Sequence, residues 1–180
     1  MPTFESAIPV IMAHEGGWVH NLADPGGETM MGWSMLTIKR LGLTPKDLGL
    51  DIPAFVPGCL KSVTKDVCRG LYRKFFWDKY GYGSISDPKV ATKVFDCAVN
   101  CGPARAHAMV QRAATVCGHA LVDDGVLGPK SVAGINSCEP VALVKAMAEQ
   151  MRTYYTLIAT KRPSLQVFLK NWIHRANWGT

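Results

Sequence analysis

No stretch of this 180-residue chain approaches the roughly 18 uninterrupted apolar residues that a membrane-spanning helix needs. Its start, Met1 to Val10, places Glu5 and Pro9 among apolar residues with no basic residue ahead of them, so no signal peptide is expected. Charged residues are scarce at 19% against 48% hydrophobic, which excludes a largely disordered chain and allows a sizeable core. Acidic residues are the scarcer charge, 14 against 20 Lys+Arg, and the net +6 suits polyanionic partners: nucleic acid, anionic lipid or acidic wall polymers. There is no internal repeat, no low-complexity tract and no phosphate-cradling glycine loop, since Gly81-x-Gly83 is too short to serve as one.

Six cysteines are present, but with no export signal and a core of this size reduced thiols are expected. Cys97 and Cys101 lie four apart on an expected helix, where they read as small core residues rather than a disulfide. The five histidines have no ligand spacing for zinc, and Asp123-Asp124-Gly125 has too few oxygens for a calcium loop. No metal and no cofactor are expected.

What is present is mostly helical pattern. Thr3 would cap a helix over Phe4–Glu15, which Gly16 and Gly17 would stop. Residues 18–33 carry Asn21, Asp24, Pro25, Gly26, Gly27 and Gly32, the chemistry of loops and hairpins. A short helix is expected at Met35–Leu41, ended by Gly42, followed by an irregular 43–60. Further helices are expected from a Thr64 cap to about Tyr80, then over 88–101, 104–116, 142–160 and 165–172. Lys61, Lys65, Arg69 and Arg73 recur every four residues and read first as a solvated face. The expected fold is mainly α: a helical unit with a small irregular or β-hairpin lobe near its N-terminus.

Chemistry concentrates in His14-Glu15-Gly16-Gly17-Trp18 and Asp24-Pro25-Gly26-Gly27-Glu28-Thr29. Glu15 is expected in the last turn of a helix, where the negative end of the helix dipole and partial burial disfavour the charged carboxylate. That suits a general acid. Asp24 lies in a glycine-rich turn with backbone N–H groups to keep it ionised, and Thr29 would orient a water beside it. Two carboxyls in contrasting environments are what glycoside cleavage asks for. The bland alternatives are a surface Glu before a helix stop and an ordinary Asp-Pro-Gly-Gly turn. Glu28 is the rival second carboxylate.

These residues resemble the signature of the family 108 glycoside hydrolases, N-acetylmuramidases found as phage endolysins and bacterial wall-degrading proteins. The resemblance rests on Glu15-Gly16-Gly17-Trp18-Val19, Asp24-Pro25-Gly26-Gly27-Glu28-Thr29 and Gly32. It continues through Tyr72 with Phe76-Trp77, Phe95-Asp96-Cys97-Ala98-Val99-Asn100-Cys101-Gly102-Pro103 and Gln111-Arg112-Ala113. Asp124-Gly125-Val126-Leu127-Gly128-Pro129-Lys130-Ser131 resembles the turn of the associated peptidoglycan-binding segment. The chain departs from the pattern at Met30-Met31, Trp33, Cys101 and Val110, and its Asn171-Trp172-Ile173-His174-Arg175 ending lacks a glycine.

The resemblance implies a lysozyme-like fold and cleavage of the β-1,4 bond between N-acetylmuramic acid and N-acetylglucosamine. Glu15 would be the acid, and Asp24 and Thr29 the water-holding pair. Trp18, Trp33 and Tyr72 would stack on sugar faces, with Asn100 and Gln111 hydrogen-bonding acetamido groups; Trp77 reads as core packing. A catalytic region over 1–90 and a helical peptidoglycan-binding region over 91–180 are expected. So is a monomer with no membrane span and no nucleic-acid partner, made in a host cytoplasm and acting on the wall. Two other readings compete. One is a non-catalytic wall-binding module built on residues 95–180, and the other a basic nucleic-acid binder suggested by the Lys61–Arg73 stripe, which lacks interleaved aromatics.

Overall fold

The computed structural model describes residues 1–19 and 27–180. Among them are eight α-helices and one three-stranded antiparallel sheet, so the chain is mainly helical with a small hairpin lobe, as the sequence pattern predicts. The chain divides into two compact units, Ile11–Phe75 and Met1–Val10 with Phe76–Thr180. Helix α1, Phe4–His14, contributes residues to each. Its start is held by Thr3, whose hydroxyl accepts from the Ser6 N–H at 3.2 Å.

The Ile11–Phe75 unit contains the sheet: β1 Trp18–Val19, β2 Thr29–Met30 and β3 Trp33–Ser34, in that order. Trp18 pairs with Met30 and Val19 with Thr29; on the other side Thr29 pairs with Ser34 and Met30 with Trp33. Only Met31 and Gly32 connect β2 to β3, with φ of 47° and 80°. Two positive φ values in a two-residue loop make the turn whose twist matches that of a hairpin. Helix α2, Met35–Arg40, begins at Ser34, whose hydroxyl accepts from Thr37 N–H. The proline-rich stretch after it carries two short 3-10 turns, Lys46–Leu48 and Cys59–Ser62. Helix α3, Lys65–Tyr72, starts at the expected Thr64 cap and runs on through a wider π-helical segment, Arg73–Asp78.

The other unit is built on α4, Pro88–Cys101, and α5, Pro103–Val116; α5 packs on α4 and on α7, Pro140–Lys161, and α7 packs on α8, Gln166–Ala176. Asp87 caps α4 through the Val90 N–H, and Pro88 occupies its first turn, where the missing N–H costs nothing. Phe95 sits at the centre of an aromatic core, 5.5 Å from Trp77, 5.6 Å from Tyr82 and 6.3 Å from Phe4. Trp77 is core, as its pattern suggests.

Helix α6, Pro129–Ser137, fills a stretch that periodicity left unassigned; with only Ser131 and Ile135 buried, it presents no apolar stripe to read. A charged cluster is buried in this unit. Arg175 clasps Asp96 with both arms, Nε to Oδ2 at 2.9 Å and Nη2 to Oδ1 at 2.8 Å. Nearby in sequence, Lys93 donates to the carbonyls of Ala176 and Trp178, each at 2.7 Å. Burial pushes the Lys93 ammonium down to about 8, with Asp96 opposing the shift. Both contacts tie α4 to the end of α8, and all six cysteines are free thiols.

Candidate active site

The site is assembled inside the Ile11–Phe75 unit from the end of a helix, a hairpin tip and one tyrosine. Glu15 lies one residue past α1, but its N–H still donates to Ile11 O at 3.0 Å, so its position is set by the helix. Gly16 and Gly17 then release the chain into β1, with open space around both. The hairpin tip returns over this point: Met31 N–H donates to Gly17 O at 3.2 Å. The Tyr72 hydroxyl, brought in by α3, donates to Met31 O at 2.8 Å.

Gly32 is where these groups converge. A Cβ at Gly32 would lie 2.4 Å from Glu15 Oε2 and 2.3 Å from the Tyr72 hydroxyl oxygen, and the φ of 80° independently demands glycine. The Glu15 carboxyl and the Tyr72 hydroxyl therefore share the face of a bare backbone. Glu15 is half-buried there. Asp24, the expected partner of Glu15, lies outside the described residues. Thr29 is half-buried in the central strand, across from Val19 and Ser34.

Glu28 has a different task from the one its place in the motif suggests. It is buried, and its Oε2 accepts from Trp18 Nε1 at 3.1 Å and from Leu60 N–H at 3.2 Å, while Oε1 accepts from the Cys59 thiol at 3.6 Å. Three donors from two segments converge on one carboxylate, which makes Glu28 the clamp between the sheet and the Cys59–Ser62 turn. Trp18 is held by that clamp with 36% of its surface exposed, and Lys61 Nζ stands 5.4 Å from its ring centroid. Two hollows, about 460 and 210 Å³, meet at Val56 and Pro57; the smaller also touches Gly27, Glu28 and Lys39.

Three of the expected sugar contacts are placed otherwise. Trp33 is buried at the hairpin base, 5.0 Å from the Tyr72 ring and 6.1 Å from Phe75, so its faces are taken by protein. Tyr72 is buried too; its hydroxyl, not its ring face, reaches the site. Gln111, in the other unit, has no exposed surface: its Nε2 reaches Asp124 Oδ1, Val126 O and Ser131 Oγ at 2.8–3.0 Å, and its Oε1 accepts from Gly125 N–H at 3.0 Å. That amide organises the Asp124–Ser131 turn and is spent internally. Asn100 is half-buried at the end of α4, where its Oδ1 accepts from the Tyr155 hydroxyl at 2.7 Å.

Residues 8–102 match the model of glycosyl hydrolase 108. The chain belongs to the glycosyl hydrolase 108 family. Residues 105–177 match a second model, a predicted peptidoglycan domain. A glycosyl hydrolase 108 chain followed by a peptidoglycan domain is a glycoside hydrolase that acts on the peptidoglycan of the cell wall. Among solved structures, "Structure of Brucella abortus SagA" is similar with a TM-score of 0.73 and 25% identity, covering 96% of this chain and 88% of that one. The shared architecture is mainly helical and lysozyme-like. Curated protein sequences gave no match.

Proposed function

We propose that this glycosyl hydrolase 108 member is an N-acetylmuramidase, cutting the β-1,4 bond between N-acetylmuramic acid and N-acetylglucosamine with Glu15 as general acid. The observation that carries the reading is the packing of the Glu15 carboxyl against the bare backbone of Gly32, beside the Tyr72 hydroxyl. A general acid must meet one oxygen of the substrate at hydrogen-bond distance, which a free surface side chain does poorly. Here the helix sets where Glu15 begins, and the hairpin tip limits where its carboxyl goes.

In this mechanism Glu15 gives its proton to the glycosidic oxygen as the bond breaks. Positive charge develops on the ring carbon, and the carboxylate of Asp24 stabilises it while holding a water together with Thr29. The water attacks as Asp24 takes one of its protons, and the departing sugar keeps the proton from Glu15. Because Glu28 is buried and its carboxylate already accepts from three donors, Asp24 is the better second carboxylate. Trp18, partly exposed and braced by Glu28, is the aromatic surface proposed to meet a sugar. Catalysis is assigned to the region through residue 90 and wall binding to residues 91–180.

The test is digestion of purified peptidoglycan followed by mass spectrometry of the new reducing ends. N-acetylmuramic acid at those ends is expected, and Glu15→Gln should abolish their release while the melting temperature stays within a few degrees. Glucosamine ends, cut peptides, or full release by Glu15→Gln would each defeat the assignment.

A further inference from the structure

The end of the chain holds an aromatic feature that hydrolysis does not use. Four rings follow one another across α7 and α8: Tyr154 to Tyr155 at 5.6 Å, Tyr155 to Trp172 at 5.4 Å, and Trp172 to Phe168 at 5.8 Å. The last two contacts are stacked, at 28° and 30° between planes, whereas the ring pairs around Phe95 are tilted or edge-on. The row is anchored at its buried member, since the Tyr155 hydroxyl donates to Asn100 Oδ1. It is flanked by Arg105, whose guanidinium stands 4.7 Å from the Tyr154 centroid.

At the other end the row comes out into solvent. Phe168 is 48% exposed, although a Phe of ordinary core function would be covered. Trp172 stands one helical turn further along the same face and is partly open, with exposed Asn171 beside it. Exposed Lys161, Arg162 and Lys170 lie close by in sequence, and from residue 150 to the end the chain carries five Lys/Arg and no carboxylate side chain.

We propose that Phe168, backed by Trp172, forms a platform on α8 that binds the glycan backbone of the wall, its outer ring face lying under the apolar C–H face of an amino sugar. A Phe ring held in place by the Trp172 ring stacked behind it offers a rigid apolar face at little entropic cost. Asn171 supplies an amide at its edge for hydroxyl or acetamido groups. The surrounding cations complement the carboxylates that wall polymers carry on their lactyl groups and stem peptides. The commitment is to sugar rather than peptide: stem peptides have few flat apolar faces to stack. The platform rests on the wall-directed reading of the chain, though not on the identity of its acid.

The probe is a glycan strand stripped of its stem peptides, bound to full-length protein carrying Glu15→Gln so that the ligand is not cut. Phe168→Ser in that background should weaken binding about fivefold, the size of one aromatic contact of this kind. Phe168→Trp should bind at least as well as the parent, and Val167→Ser, an exposed neighbour one position away, should leave binding unchanged. With Glu15 intact, Phe168→Ser should cleave short soluble glycan fragments at the parental rate. Equal binding by Phe168→Ser, equal loss in Val167→Ser, or retention only by strands that keep their peptides would each overturn the platform. Sugar release is followed during the binding measurement: release by Glu15→Gln would defeat the Glu15 assignment, while the ranking of the Phe168 and Val167 variants in that same background still decides the platform.

Discussion

Glu15 Oε2 lies where a side chain at Gly32 would be: a Cβ on that glycine would come within 2.4 Å of it. The carboxyl of a helix end is thus seated by the absence of an atom on a hairpin tip. Gly32→Ala is expected to displace both Glu15 and Tyr72, because the new methyl overlaps two oxygens at once and the φ of 80° resists any non-glycine residue. Strain of this kind costs about 1–3 kcal/mol. A displacement near 1 Å at a reacting group costs about a hundredfold in rate. Thermal melting and the rate of sugar release check the two parts, and parental activity in Gly32→Ala would mean that Glu15 is not seated this way.

Met31 occupies a left-handed conformation, φ 47°, in a turn position that glycine, asparagine or aspartate fills more cheaply. Met31→Gly should stabilise the chain by about 1 kcal/mol, a rise of roughly 2–4 °C in melting temperature for a protein of this size. The Tyr72 bond goes to the Met31 carbonyl and survives the change, so activity is expected to stay within a factor of about two to three of the parent. A fall in melting temperature would show that the Met31 side chain contributes more than its backbone costs.

Glu28 separates a structural carboxylate from a chemical one. Glu28→Gln keeps one acceptor oxygen but loses the charge and turns an amide N–H₂ towards donors, at an expected cost of about 1–3 kcal/mol. At a temperature where both variants are folded, Glu28→Gln should still release sugar while Glu15→Gln should not. Loss of chemistry in a folded Glu28→Gln protein would restore it as the second carboxylate.

His107 gives stability a pH dependence. It is buried, with Nδ1 at 3.0 Å from Gly125 O and Nε2 at 3.0 Å from the Tyr82 hydroxyl. A carbonyl only accepts, so Nδ1 carries the proton and neutral Nε2 accepts from Tyr82. Burial lowers the His107 pKa, against a smaller opposing effect of the Gly125 bond. The unfolded chain therefore takes up a proton first as pH falls. The stabilisation is complete above about 6.5 and drains away below it, by up to about 1.4 kcal/mol per pH unit, until the folded histidine also protonates. Melting curves between pH 7.5 and 5 should show this slope, and His107→Gln should flatten it.

Much of the framework was legible locally. The Thr64 cap, the helix start at residue 88, the stop at Gly42 and the hairpin glycines each act within a few residues, and the helices they bound lie where the pattern places them. Helix α6 was not legible because so little of it is buried, and the π-helical turn within 65–80 leaves the apolar periodicity nearly unchanged. At the site, the Glu15 position could be read because a helix end and two glycines announce it. The burial of Trp33, Tyr72 and Gln111 could not be read from sequence, nor could the choice between Asp24 and Glu28, as an aromatic, an amide and a carboxylate near a motif look alike whether they face substrate or protein.

The sequence by itself determined where helices begin and end, where the chain must turn left-handed, and that a carboxylate stands where the first helix stops, for these depend on neighbours along the chain. Tertiary structure decided which polar groups remain for substrate. Glu28 is claimed by residues 31 and 32 positions away, and the Tyr72 hydroxyl by one 41 positions away. A side chain's hydrogen-bonding capacity is finite, and only the folded chain brings together the partners that use it up.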